Sequence, residues 1–286
     1  MDIAARILNA SLIVAMPLAL GVYLARRLKA EWRLYGVGAL TFVASQVLHI
    51  PFNAWVLAPA VRSLGLAEAR AGWPLALLAL LYGLSAGLFE ESFRYLVYRF
   101  GVKEARSWGA GLMFGAGHGG IEAVILGGLA LYALVQALSL RGVDLSAIYP
   151  PESVELARLQ LEAYWGAPWY AALLGAVERA AALLFHLSAA VLVLRSITRR
   201  NPLWLGAAIG WHTAINAVGV FAVQNWNVYI AELLITAFGL ASLTLIFLLR
   251  DPEKPVQQAP PPAERTAIKI QPPEPTLENL EDSRYT

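Results

Sequence analysis

The sequence predicts an all-α, polytopic helical membrane protein with about seven transmembrane helices. Hydrophobic residues make up 58% of the 286 residues, whereas soluble domains contain roughly 45–50% even when glycine is counted. The mean hydropathy is +0.56, and the charged residues, 15% of the chain, fall mostly between long apolar runs. An apolar run of about 20 residues is long enough to cross a bilayer as a helix.

Seven apolar runs reach this length. The first is followed by basic residues at 26–33 and lacks a small-residue cleavage site, so we predict an uncleaved membrane anchor rather than a signal peptide. The second contains Pro51, near which His49 and Asn53 are expected to serve packing or hydration. The predicted spans are residues 7–25, 34–59, 75–99, 108–137, 168–195, 203–223 and 228–249.

Loop charge predicts how the chain is oriented. Lysine and arginine are concentrated after spans one, three, five and seven, and only five arginines lie on the opposite side. By the positive-inside rule, the N-terminus is predicted to lie outside and the C-terminus in the cytoplasm. We therefore expect a multi-pass protein of the cell membrane.

Two segments are expected outside the bilayer. Residues 138–167 form a long outer connection, within which 152–164 is predicted to be a short helix on the membrane surface. Residues 251–286 contain eight of the sixteen prolines and charges of both signs. This composition predicts a disordered cytoplasmic tail that follows a transmembrane domain at residues 1–250.

Composition also excludes several classes of function. The net charge of +2 is too small to indicate a nucleic acid partner. There are no cysteines, which excludes disulfides, thiolate metal sites and a cysteine nucleophile. Span seven contains no lysine for a retinal Schiff base. No Ser-His-Asp arrangement or GxSxG elbow stands on these helices, because the GLSAG run (83–87) lies within a predicted span and not at a strand-to-helix turn. A serine mechanism is therefore not expected.

Ionisable and amide side chains inside the spans are the main indication of function. A charge at bilayer depth costs roughly 2.5–3.5 kcal/mol, so such residues usually face a protein interior or a wet cavity and take part in function. The candidate residues are Glu90, Glu91, Arg94, His118, Glu122, Glu178, Arg179, His186, His212 and Asn216.

Four of these residues are expected at one depth in the membrane. Counted from the predicted helix ends, Glu90, His118, His186 and His212 lie roughly 13–15 Å below the cytoplasmic surface at about 1.5 Å per residue. We therefore expect a common cavity that opens towards the cytoplasmic half. Three pairs share one side of a helix through their spacing of four residues: Glu90 and Arg94, His118 and Glu122, and His212 and Asn216.

Each motif also allows a purely structural interpretation. EESFR (90–94) could form a buried salt bridge, but Arg94 needs only one carboxylate, which leaves the other available as a general base. FGAGH (114–118) could hold a histidine satisfied by a carbonyl, and HTAIN (212–216) could be a polar contact between helices. The group of Glu178, Arg179 and His186 is open between support of a site and a structural role.

In combination, the three motifs resemble those of the CAAX-protease and bacteriocin-processing superfamily of intramembrane peptidases. That superfamily is marked by a Glu-Glu pair followed by Arg, then FxxxH, then HxxxN or HxxxD. The second and third motifs match in spacing, whereas Arg94 follows Glu91 by three positions rather than four. The GHGGIE run (117–122), and the Glu-Arg pair with a following histidine in span five, are similar to the YhfC-type branch.

This resemblance, which covers spans three to six, implies a glutamate-dependent peptidase acting on peptide or membrane-protein substrates in the lipid bilayer. Glu90 together with His118 would deprotonate a water molecule. His212 and Asn216 would stabilise the oxyanion by donating hydrogen bonds. The residues expected in supporting roles are Glu91, Arg94, Glu122, Glu178, Arg179 and His186.

The requirement for a metal stays open at this stage. His118, His186 and His212 with Glu90 could supply a tetrahedral zinc site, but no HExxH motif is present. We therefore expect no obligatory metal, with zinc as the alternative. Two other functions are kept: a zinc-dependent membrane lipid hydrolase, and a transporter with a polar site near the midplane, which the lack of inverted repeats disfavours.

Overall fold

The predicted all-helical membrane architecture is confirmed by a computed structural model that describes residues 2–250. Within that range, seven helical segments are long and apolar enough to cross a membrane: Asp2–Leu28, Trp32–Ser63, Gly72–Gly101, Trp108–Ser139, Trp169–Thr198, Leu203–Asn225 and Val228–Leu248. They correspond one to one with the spans predicted from sequence. The tail predicted at residues 251–286 lies outside the described residues.

Two of these segments change their helical geometry along their length. After Pro51, the second segment continues as a π-helical turn and then as a short α-helix. The third segment ends in a π-helical turn. Within the described residues, the helices are α1 (Asp2–Leu28), α2 (Trp32–Phe52), a π-helical turn (Asn53–Leu57), α3 (Ala58–Ser63), α4 (Gly72–Leu96), a π-helical turn (Val97–Gly101), α5 (Trp108–Ser139), α6 (Pro151–Gly166), α7 (Leu174–Thr198), α8 (Leu203–Asn225) and α9 (Val228–Leu248). Short 3₁₀ turns at Leu145–Ala147 and Trp169–Leu173 precede α6 and α7.

Helix ends are set by local hydrogen bonds and backbone conformation. The Ser107 side chain accepts a hydrogen bond from the backbone N–H of Ala110 at the start of α5, and Asn227 caps α9 in the same way. Such caps satisfy backbone donors that a helix leaves unpaired. Lys29 and Arg200, just after α1 and α7, have φ values of 52° and 50°, which turns the chain sharply towards the next helix.

The helix bundle is built around α5 and α7. α5 packs against α1, α2 and α7, while α7 also contacts α9 and α8, and α4 packs mainly against α8. Of the seven spans, the one containing α7 is the most buried. The side chains of the candidate site are therefore placed on α4, α5, α7 and α8, where these helices meet.

Glycine allows the closest helix approach, between α2 and α5. A Cβ atom at Gly117 would clash with the backbone carbonyl oxygen of Tyr35, and one at Gly38 would clash with that of Phe114. Small residues at a helix interface let two backbones come together in this way. The contact brings α2 beside the part of α5 that carries His118.

The segment predicted as a surface helix is also helical. α6 covers residues 151–166, and none of its residues is buried. Arg6 of α1 donates a hydrogen bond to the backbone carbonyl of Tyr164, and its guanidinium lies 3.8 Å from the centroid of the Tyr164 ring. The end of α6 is thus held against the beginning of α1.

We expect Gly117→Ala to lower the free energy of unfolding by about 1–3 kcal/mol, the usual range for inserting a methyl group into a packed interior. The matched control is Gly128→Ala on the same helix, because no atom lies within 4 Å of a Cβ built there. Denaturant or thermal unfolding in detergent measures both. Equal stability of the two variants would show that the Gly117 contact with α2 is not tight.

Candidate active site

The four residues expected at one depth lie side by side in the structure. His118 Nε2 is 3.0 Å from Glu90 Oε2. The ring centroids of His118 and His186 are 5.4 Å apart, and those of His186 and His212 are 6.2 Å apart. All four side chains are buried. The arrangement is therefore a compact glutamate–histidine cluster that joins α4, α5, α7 and α8.

Glu90 accepts hydrogen bonds on both carboxylate oxygens. Gln46 Nε2 of α2 donates to Oε1 over 3.1 Å, and His118 Nε2 of α5 lies against Oε2. Donors from two helices fix the orientation of the carboxylate. The remaining lone pairs of its oxygens are available to a group in the adjoining cavity.

A polar network on α2 continues from Gln46 to α4. Ser85 Oγ donates to Asn53 Oδ1 over 2.7 Å, and Asn53 Nδ2 lies 3.0 Å from His49 Nε2. His49 Nδ1 is 3.2 Å from Gln46 Oε1. Since the amide of Asn53 donates to Nε2, Nδ1 must carry the proton that Gln46 accepts. His49 and Asn53, expected to serve packing or hydration, thus orient the amide that holds Glu90.

Glu91 faces a different neighbour from Glu90, as the 100° turn between successive helix residues requires. Its Oε1 lies 2.7 Å from His212 Nδ1, and its Oε2 lies 3.6 Å from Arg94 Nε. Because the Nδ1 proton of His212 points to Glu91, the Nε2 atom is left for the cavity. A carboxylate behind a histidine fixes both the tautomer and the ring orientation.

Arg94 occupies the centre of the cluster and is fully buried. It donates from Nη1 to the backbone carbonyl of His186 over 3.0 Å, and from Nη2 to His186 Nδ1 over 2.7 Å. Its Nη2 also lies 4.0 Å from Glu90 Oε2. Arg94 therefore stands between the two carboxylates, and its hydrogen bonds go to α7 rather than to either glutamate.

The remaining supporting residues extend the cluster along α5 and α7. His186 Nδ1 accepts from Arg94, so its Nε2 carries the proton that Glu122 Oε2 accepts over 2.6 Å. Arg179 Nη1 donates to Glu122 Oε1 over 2.7 Å and also pairs with Glu178. Arg179 thus pairs with two carboxylates, and through Glu122 it holds the hydrogen-bond partner of His186.

A cavity of about 440 Å³ adjoins the cluster. Glu90, His212 and Asn216 line it together with apolar side chains such as Ile215 and Phe185. His118 is not among the lining residues, but it contacts two residues that are, Glu90 and His186. The lining also includes further ionisable residues, which are Glu122, Glu178, Arg179, His186 and Glu232. Apolar walls with convergent polar groups are usual for a substrate site.

The cavity extends towards the end of the bundle at which α4, α7 and α9 begin. Its lining includes Tyr82, Glu178, Val223 and Val228, the last two flanking the connection of two residues between α8 and α9. With the orientation predicted from loop charge, this end faces outwards. For that orientation the cavity extends away from the cytoplasmic half, contrary to expectation, because buried side chains such as Tyr98, Phe114 and Val191 separate it from the other end of the bundle.

Two polar residues of the site escaped the sequence analysis. Gln46 is uncharged and stands among apolar residues of span two, so only its contact with Glu90 shows its importance. Glu232 of α9 lines the cavity, and its buried Oε2 has no hydrogen-bond partner. It is an acid inside span seven, and the rule applied to the other spans would have found it.

Three side chains of the cluster offer donor atoms of the kind that bind a metal ion. Glu90, His118 and His186 place one carboxylate oxygen and two imidazole nitrogens within 4.8 Å of one another, and catalytic zinc sites use this combination. However, Arg94 and Glu122 engage both ring nitrogens of His186. The set fits a divalent metal once His186 releases one of these hydrogen bonds.

The fold and the site define a class: an integral, multi-pass membrane protein with a buried glutamate–histidine centre beside an apolar cavity. The chain belongs to the YhfC intramembrane metalloprotease family, whose model matches residues 12–237. It is also 30% identical over 247 residues to the uncharacterized membrane protein YhfC of Bacillus subtilis (strain 168). The aligned region covers 85% of this chain and 93% of that protein. No solved structure matches.

The family match supports the YhfC-type branch suggested by the sequence motifs. The matched range contains every candidate residue named above, from Glu90 to Asn216. The family description also supports a protease, which disfavours the transporter and the lipid hydrolase kept as alternatives.

Proposed function

We propose that this protein is an intramembrane endopeptidase of the glutamate-dependent type, related to the CAAX-protease and bacteriocin-processing superfamily. It would hydrolyse peptide bonds of membrane-associated substrates. The observation that carries the proposal is the Glu90 carboxylate, which lines an apolar cavity while Gln46 and His118 hold both of its oxygens. An oriented carboxylate in a water-poor site is suited to general base catalysis.

The proton and the bonds can be followed through the reaction. Glu90 accepts a proton from a water molecule as the water oxygen forms a bond to the peptide carbonyl carbon. It then returns that proton to the amide nitrogen as the carbon–nitrogen bond breaks. His118 acts through Glu90 by donating to Oε2, so it is a positioning residue that keeps the carboxylate turned towards the water.

The developing oxyanion would be stabilised from α8. His212 and Asn216 both line the cavity and lie one turn apart on the same helix face. Glu91, hydrogen-bonded to His212 Nδ1, supports an imidazolium whose Nε2–H can donate to the oxyanion. The Asn216 amide supplies a second donor, and each such donor contributes a few kcal/mol to transition-state stabilisation.

The cavity also limits the form of the substrate. Val220, Val223 and Ile235 on α8 and α9 form an apolar part of its wall, against which an apolar segment can pack. A peptide bond in a helix is protected by its own hydrogen bonds, and the carbonyl must be exposed before water can attack. The proposed substrate is therefore an apolar segment unwound at the scissile bond.

A metal-dependent form of the same hydrolysis is the second candidate, favoured by the donor set and by the family description. Glu90, His118 and His186 would hold the ion. When bound, it would polarise the peptide carbonyl and make water more acidic. Glu90 would then be a ligand and not the base, so the two candidates assign this residue different roles.

Glu90→Gln tests the proposal most directly. The amide keeps the size of the side chain but cannot accept the proton, so we expect cleavage to fall by roughly 10²–10⁴-fold. The assay uses synthetic transmembrane peptides in proteoliposomes, with products identified by mass spectrometry. Glu155→Gln, an exposed glutamate on α6, is the matched control and should keep full activity. Retained cleavage in Glu90→Gln would exclude the general base role.

Chelation separates the two candidates. The positive guanidinium of Arg94, 2.7 Å from His186 Nδ1, opposes a second cation, so we expect cleavage to survive dialysis against a zinc chelator. Metal content is measured by mass spectrometry on the same sample. Loss of activity that added zinc restores, with zinc bound to the parent protein but not to His186→Ala, would establish the metal-dependent form.

Removal of the oxyanion donor should affect turnover more than folding. We expect Asn216→Ala to lower the rate by roughly 10²–10³-fold, the range found when one such donor is lost, with an unchanged unfolding temperature. Gln224→Ala, an exposed amide on the same helix, controls for loss of an amide. A fully active Asn216→Ala protein would assign this residue to packing.

A further inference from the structure

A second cavity lies at the opposite end of the bundle from the candidate active site. It has a volume of about 670 Å³ and lies between the ends of α4 and α7. Arg99, Arg106 and Arg200 line it, with Tyr95 and Ser196. None of its lining residues is acidic, and none lines the active-site cavity. The three guanidinium groups therefore form a separate basic pocket.

Arg106 is held rigidly in this pocket. Its Nη1 donates to the backbone carbonyls of Val102 and Ala105, both over 3.0 Å, and its Nη2 donates to that of Tyr98 over 2.9 Å. Carbonyl oxygens orient the guanidinium without cancelling its charge. A positively charged group that is already fixed loses little conformational entropy when it binds an anion.

The other two arginines are exposed and available. Within the described residues, no acidic side chain pairs with Arg99 or Arg200, both of which are exposed to solvent. Arginine binds phosphate well because its planar N–H groups match the oxygens of the anion. The Tyr95 hydroxyl adds a further polar group to the same cavity.

The surroundings of the pocket indicate how the phosphate is presented. Phe100 follows Arg99 directly and is 65% exposed, and Leu203 follows Pro202 of the pocket lining and is 76% exposed. Exposed apolar side chains beside basic residues at the end of a transmembrane helix are suited to acyl chains below a head group. Basic pockets between helix ends are known to bind anionic lipid head groups.

We propose that this arginine pocket binds the phosphate of an anionic phospholipid. The ligand would tie the end of α4 to the end of α7. Because Tyr95 follows Arg94 directly in the chain, occupancy would stabilise the helix end next to the residues that organise the active site. The inference does not depend on proteolysis, since it concerns a separate pocket and can be tested by binding alone.

The test uses the full-length chain in detergent, with thermal unfolding followed in the presence of phosphatidylglycerol or phosphatidylcholine. We expect phosphatidylglycerol to raise the unfolding temperature by about 3–8 °C more than phosphatidylcholine. In the double variant Arg99→Gln/Arg200→Gln, the apparent affinity should fall by about 10-fold or more, because two charge-assisted hydrogen bonds are lost.

A matched control removes two positive charges outside the pocket. Arg26→Gln/Arg27→Gln alters two exposed arginines at the end of α1, on the same face of the bundle but outside the pocket, and should keep the full response to phosphatidylglycerol. If both double variants lose the response equally, general surface charge explains the effect and the pocket proposal is wrong. Equal stabilisation by the two lipids would also overturn it.

Glycerol 3-phosphate distinguishes the two sources of the phosphate group. We expect it to give little stabilisation at the concentration at which phosphatidylglycerol acts, because it lacks the acyl chains that pack beside Phe100. If glycerol 3-phosphate alone gives the full shift and Arg99→Gln/Arg200→Gln abolishes it, the pocket binds phosphate from the aqueous phase. In that case the assignment to a lipid is wrong, while the assignment to phosphate is supported.

Discussion

The buried guanidinium of Arg94 is the constraint on which the rest of the site depends. A charge in a low-dielectric interior persists only when neighbouring groups compensate for it. Here Glu90 and Glu91 approach from the same helix, and the backbone and ring of His186 accept two hydrogen bonds from α7. Arg94 therefore fixes α4 relative to α7. Through Glu91, the same arrangement reaches His212 on α8.

Much of this architecture could be predicted from the sequence, because a bilayer restricts what a chain can do. Each span must be apolar for about 20 residues, so the seven segments can be predicted from hydrophobicity alone. An ionisable residue within such a segment needs a polar partner, so the sequence predicts that Glu90, His118, His186 and His212 lie together. Their common depth is a prediction from helix rise, and the contacts between them place the four side chains at one level of the bundle.

Other features depend on packing and could not be predicted. Arg94 was expected to pair with a glutamate, and it lies within 4.0 Å of both Glu90 and Glu91. Its hydrogen bonds, however, go to His186, since rotamers and helix distances decide among competing acceptors. Gln46 carries no charge, so nothing in the sequence indicates that it contacts Glu90. The direction in which the cavity extends depends on which helix ends pack together, and the spacing of residues along one helix contains no information about this.

The short connection between α8 and α9 restricts how a substrate can reach the cavity. α8 ends at Asn225 and α9 begins at Val228, so these two residues are joined by three Cα–Cα steps of about 3.8 Å and cannot be more than roughly 11 Å apart. A helix with its side chains is about 10–12 Å wide and cannot pass between two helix ends tethered this closely. A helical polypeptide therefore cannot enter the cavity between the end of α8 and the start of α9, and the covalent connection excludes it by its width alone.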